Sequence, residues 1–177
     1  MKQTVIRWQI AGFLFTAAAG TFLHFLFDLT GGSRVAALFL AVNESIWEHM
    51  KLLFYPMVAV AAVEYGVWGK EIPCFWRVKL KGLLLGLGII PVIYYTYTGA
   101  LGVSWDWFNI TIFFLAAGAA YRQETRQFLR LAGCRGTVLP VLGILLLAIL
   151  FTVFTFWPPL MPLFRDPLTG TYGFTGA

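Results

Sequence analysis

The chain has 177 residues, 59% of them hydrophobic and 12% charged, with a formal net charge of +5 and a mean hydropathy of +0.77. A soluble domain carries about 25% charged residues, so half that share excludes an ordinary water-soluble globule and makes lipid the main solvent. The basic excess lies between apolar runs, where topology signals belong, which argues against a nucleic-acid-binding face.

The run 5–27 crosses a hydrocarbon core of about 30 Å, which takes roughly 20 helical residues. Arg7 and Gln9 near its start are placed to snorkel to the interface. The run is too long for a signal-peptide apolar region and reads as a retained span. Ala17-Ala18-Ala19-Gly20 offers a surface of small residues to a neighbouring helix. Thr30-Gly31-Gly32-Ser33 is a turn sequence. The run 35–42 is too short to span and predicts a short re-entrant or interfacial helix, with a break near Asn43. Ser45 and Glu48 have capping-box spacing, so a second span is expected over 46–68, kinked at Pro56. Lys70, Arg77, Lys79 and Lys81 then read as loop charges.

A third span is expected over 82–98, with Gly82 and Gly86 at the spacing of a close helix contact and Pro91 breaking its regularity. Tyr94, Tyr95 and Tyr97 mark its interface belt. The fourth span, 104–121, begins near Asp106 and Asn109, which suit a helix N-terminus. Arg122, Arg126, Arg130 and Arg135 form a basic connector to the fifth span, 137–157. A Pro- and Gly-rich tail follows, with Arg165 and Asp166 placed to cover the end of the bundle. The expected architecture is all-α: one integral membrane domain over 1–177, a polytopic bundle of five transmembrane helices. With the N-terminus inside and the C-terminus outside, ten of the thirteen Lys and Arg residues are cytoplasmic, as the positive-inside rule requires. Cys74 and Cys134 then fall beside cytoplasmic loops, where no structural disulfide is expected.

This orientation collects the unusual polar residues at the outer face. His24 and Asp28 are four apart and share a helix face. Residues 43–51, Asn-Glu-Ser-Ile-Trp-Glu-His-Met-Lys, add Glu44, Glu48 and His49. Two imidazoles and three carboxylates in one hairpin suit a divalent metal such as zinc, or acid–base catalysis. The candidate catalytic residues are Glu44, Glu48, His49, His24 and Asp28, with Glu44 or Glu48 as general base. The candidate metal ligands are His24, Asp28, Glu44 and His49. Structural roles compete with each: Glu48 caps its helix or pairs with Lys51, His24 bonds Asp28, and Asn43 and Glu44 satisfy backbone groups at the break. Glu64 is expected to pair with a nearby basic residue.

Three segments carry a resemblance: His24-Phe25-Leu26-Phe27-Asp28, the stretch 42–52 with its N-E-S-x-W-E-H-x-K pattern, and the tail with F-R-D-P-x-T-G-x-Y-G. The chain resembles an uncharacterised family of small polytopic bacterial membrane proteins. That resemblance implies a multi-pass protein of the bacterial cytoplasmic membrane and implies no activity. From the residues themselves, the leading expectation is a metal-assisted hydrolase or related enzyme acting on a lipid-like or amphipathic substrate. The alternatives are a small transporter or solute- or ion-binding subunit, and a structural or accessory membrane protein.

Overall fold

The structure is a computed structural model that describes residues 2–130 and 138–175, apart from the side chain of Asp28. Its described residues form six α-helices: α1 (Lys2–Leu29), α2 (Arg34–Ala37), α3 (Ile46–Val67), α4 (Phe75–Leu101), α5 (Asp106–Arg130) and α6 (Val138–Phe156). The all-helical class holds. Four helices are long and apolar enough to cross a membrane: α1, α3, α4 and α6. The 25-residue α5 is as long, but its last turns carry Arg122, Gln123, Glu124, Arg126, Gln127 and Arg130. Apolar side chains on the outer surface, among them Leu14, Phe22 and Phe25 of α1 and Leu142, Leu146 and Ile149 of α6, are exposed.

Helix boundaries follow from local chemistry where the signals are polar. Ser45 Oγ accepts the Glu48 amide at 3.3 Å and starts α3 at Ile46. The reciprocal half of the capping box is absent: Asn43 Oδ1 takes the Ser45 amide, and Glu48 Oε2 reaches back to the Val42 amide. Of the run expected over 35–42 only residues 35–37 are α-helical, in a four-residue helix that begins at Arg34. Two other boundaries differ from expectation. α4 begins at Phe75 rather than 82, so Lys79 lies inside a helix, and α5 continues past 121 to Arg130. Each extension carries one buried charge, Lys79 in α4 and Glu124 in α5, and the two pair with each other. α3 and α4 run through Pro56 and Pro91 as single helices.

The core sits among α3, α4, α5 and α6, around Leu53, Phe54, Leu83, Ala116, Ala120 and Phe151. Small residues set the spacing. A Cβ on Gly86 would lie 2.9 Å from Leu53 and 3.3 Å from Ala120 Cβ. A Cβ on Gly20 of α1 would lie 2.8 Å from the Leu52 carbonyl. These are the backbone approaches that replace water-driven burial when helices pack in lipid. Trp47 at the start of α3 stacks among Phe151, Phe154 and Phe164, at ring separations of 4.6, 5.5 and 4.9 Å. Tyr97 is buried rather than placed in an interface belt, and its hydroxyl donates to Asn109 Oδ1.

Cys74, next to the start of α4, is disulfide-bonded, against the expectation of free thiols. Cys134 and Arg135 lie outside the described residues.

Candidate functional site

The end of α1 and the start of α3 meet where the chain turns through α2. His24 comes from α1, Glu44 from the segment before α3, and His49 from the first turn of α3. His49 Nε2 lies 3.3 Å from Glu44 Oε2, and His24 Nε2 lies 3.9 Å from Glu44 Oε1. The two imidazole rings are 5.2 Å apart. One donor atom from each residue lies within 4.8 Å of the other two. All three side chains are partly exposed, at 31%, 42% and 32% for His24, Glu44 and His49, so solvent or a ligand reaches them.

The protonation geometry of His49 is informative. Its Nδ1 lies 3.0 Å from the Ser45 carbonyl oxygen, an acceptor only, so Nδ1 carries the hydrogen. In the neutral ring Nε2 is then a bare lone pair facing a carboxylate oxygen. Two lone pairs at 3.3 Å require a positive charge between them: a proton on the ring or a metal ion. The second-atom contact to a backbone carbonyl is how metal-binding histidines are commonly oriented. The hydrogen bond with His49 holds the Glu44 carboxyl below its ordinary value, helped by the charges of His49 and His24 and opposed by burial.

Glu48 occupies a separate, closed network. Its carboxylate pairs with Lys51 at 2.5 Å and accepts the Val42 amide at 3.0 Å. Lys51 Nζ also donates to the Ala37 carbonyl and to Thr155 Oγ1, each at 2.9 Å. Thr155 has one hydroxyl hydrogen, within reach of Glu48 Oε1 at 2.8 Å and of the Phe151 carbonyl at 2.9 Å. Glu48, Lys51 and Thr155 are at most 1% exposed. The structure thus divides the predicted residues: His24, Glu44 and His49 converge, Glu48 is buried beside them, and the side chain of Asp28 lies outside the described residues.

The tail closes this end. Asn43 Nδ2 donates to the Gly173 carbonyl and the Phe174 amide to the Thr155 carbonyl. The Phe174 ring packs edge-on against Phe27 of α1. Arg165 pairs with Tyr172 across a short bridge, and Asp166 Oδ1 accepts the Leu168 amide, folding the tail on itself. Gly173 has a φ of +62°, and a Cβ there would meet the Thr155 carbonyl at 2.6 Å.

A second polar group at the other end of the bundle escaped sequence reading. Gln9, Glu64, Lys79 and Glu124 are each at most 2% exposed. Glu64 pairs with Lys79, as expected, but Gln9 is buried and bonds Glu64 instead of snorkelling. The available signal was helical phase, which would have placed Lys79 and Glu124 on inward faces had both helices been extended.

Comparison with known proteins returns one family, described as of unknown function, whose match covers residues 1–174. No curated protein and no solved structure matches.

Proposed function

The chain belongs to that family of unknown function, DUF6512, and from its site we propose a membrane enzyme whose His24–Glu44–His49 triad holds a divalent cation such as zinc and hydrolyses a lipid-like or amphipathic substrate. In this reading α1, α3, α4, α5 and α6 all span a bacterial cytoplasmic membrane, N-terminus in and C-terminus out, with the triad at the outer face. The observation that carries it is the approach of His49 Nε2 to Glu44 Oε2 at 3.3 Å, with Nδ1 turned to the Ser45 carbonyl and His24 beside them.

The fit to a metal is close. Ligand atoms bound to tetrahedral zinc at about 2.0–2.2 Å lie roughly 3.4 Å from one another. The His49–Glu44 separation already has that value, and His24 needs a small inward movement. Two histidines and a carboxylate leave a fourth position for water, which zinc makes acidic enough to attack at neutral pH. Asp28, one helical turn beyond His24, is the remaining carboxylate for a ligand or base role. Glu48 holds the hairpin through Lys51 and leaves Glu44 as the nearer acid–base group.

Metal analysis of the purified full chain tests this. We expect stoichiometric zinc or a similar ion in wild type, its removal by chelator with a fall in melting temperature, and its loss in His24→Ala and His49→Ala. Wild-type protein that neither retains metal nor responds thermally to added zinc would defeat the proposal. The transporter reading draws support from the second ionic cluster, because ionisable groups at membrane depth commonly line solute or proton pathways. Its mark is a solute that stabilises wild type without metal.

A further inference from the structure

The second cluster carries an inference that does not depend on the metal proposal. Four helices build it. Gln9 comes from α1, Glu64 from α3, Lys79 from α4 and Glu124 from α5. Lys79 Nζ pairs with Glu64 Oε2 and, at 2.5 Å, with Glu124 Oε2. Gln9 Nε2 donates to Glu64 Oε1 at 2.9 Å. The rings of Phe75, Tyr121 and Phe128 stand 5.5–5.7 Å from the ammonium. The Tyr121 hydroxyl bonds Thr16 at 2.8 Å. Arg7 and Arg77, toward the same end on α1 and α4, are exposed.

Two carboxylates face one ammonium. If all three are ionised, a net negative charge is buried, and an unbalanced buried charge is strongly unfavourable. Two buried oxygens, Gln9 Oε1 and Glu124 Oε1, also have no hydrogen-bond partner, and a third, Glu64 Oε2, is held only by its ion pair with Lys79. A single proton on one of the two acids removes the surplus charge.

The two acids are not equivalent. Glu64 accepts the Gln9 amide on one oxygen and has the Lys79 ammonium paired against the other. A hydrogen bond and an adjacent opposite charge both favour the ionised form. Glu124 has a donor on Oε2 alone, and its Oε1 is pressed against Gly82 of α4. We propose that this cluster is a proton-binding site: at neutral pH Glu124 carries an exchangeable proton beside an ionised Glu64–Lys79 pair. Releasing the proton restores the surplus charge in a dry site, so the four helices are held together less firmly as the pH rises.

Infrared spectroscopy of the detergent-purified full chain tests this through the carbonyl stretch of a protonated carboxylic acid, which shifts on exchange into deuterium oxide. Wild type should show the band at neutral pH and lose it as the pH is raised. Glu124→Gln should abolish it by removing the acid. Glu64→Gln should abolish it too, because Glu124 then ionises against Lys79. Lys79→Met should enlarge the band, since two acids are left with no cation. A purely structural role for these residues predicts no such opposite response. If Lys79→Met fails to fold, the two glutamine variants still decide. Absence of the band in wild type at neutral pH overturns the proposal, as does a band unchanged in both glutamine variants. Absence of the band together with thermal stabilisation by sodium chloride but not choline chloride overturns it in favour of a metal cation at this place.

Discussion

At the residue scale, the two acidic neighbours Glu44 and Glu48 are separated by what lies around them. Glu48 is buried with its charge matched, and Glu44 is open to solvent between two imidazoles. Removing one partner of a buried pair costs about 3–5 kcal/mol, while replacing both by neutral groups costs far less. Lys51→Met should therefore lower the melting temperature sharply, and the double variant Glu48→Leu with Lys51→Met should recover most of the loss. Equal losses in the single and double variants would show that the charges themselves are not coupled. Glu44 predicts an acid dependence. Its carboxyl is held below its ordinary value in the folded chain, so its stabilisation is present above that ordinary value and fades as the pH falls through the lowered one. Thermal melts taken from neutral into acid should fall faster for wild type than for Glu44→Gln, with parallel curves as the contrary result.

At the element scale, the start of α3 was legible because Ser45 and Glu48 carry a directional signal. The start of α4 and the end of α5 were not, because Lys79 and Glu124 look like loop charges until their helices are placed side by side. The convergence of His24 with residues 43–51 was likewise legible from the short connection. The tail's grip on Asn43 was less so, since it rests on a backbone carbonyl that no side chain announces. The glycine spacing of α4 gives a direct test. Replacing Gly82 or Gly86 by Leu forces a side chain into Glu124, or into Leu53 and Ala120. Overpacking of this kind costs typically about 1–3 kcal/mol, read as lost yield or a lower melting temperature. Unchanged stability would mean that α4 and α5 have room to separate.

At the scale of the whole molecule, the long helices leave one polar cluster at each end. Two signals bear oppositely on their sidedness. The basic residues favour a cytoplasmic location for the Cys74 end, whereas the disulfide at Cys74 suits an oxidising compartment. The proposed orientation predicts that a periplasm-active reporter fused after Ala177 is active and that one inserted beside Cys74 is silent. The reverse pattern would place the histidine cluster in the cytoplasm.

The link between Thr155 and the Glu48–Lys51 pair bears on how the protein is made. Those partners are separated by 107 and 104 residues along the chain. If the chain inserts as proposed, a ribosome delivers α3 to the membrane long before α6 emerges, so a charged pair waits with one partner missing while the intervening helices are synthesised. During that interval Lys51 and Glu48 have only the hairpin to satisfy them, and the nascent bundle presents an incomplete polar surface to membrane quality control. Chains stopped before Val138 should be degraded rapidly in cells, and chains carried through Phe174 should accumulate. Pulse-chase labelling would read the difference directly. Equal lifetimes would mean that α1 to α5 are already a finished unit, with α6 added to it as an independent strut.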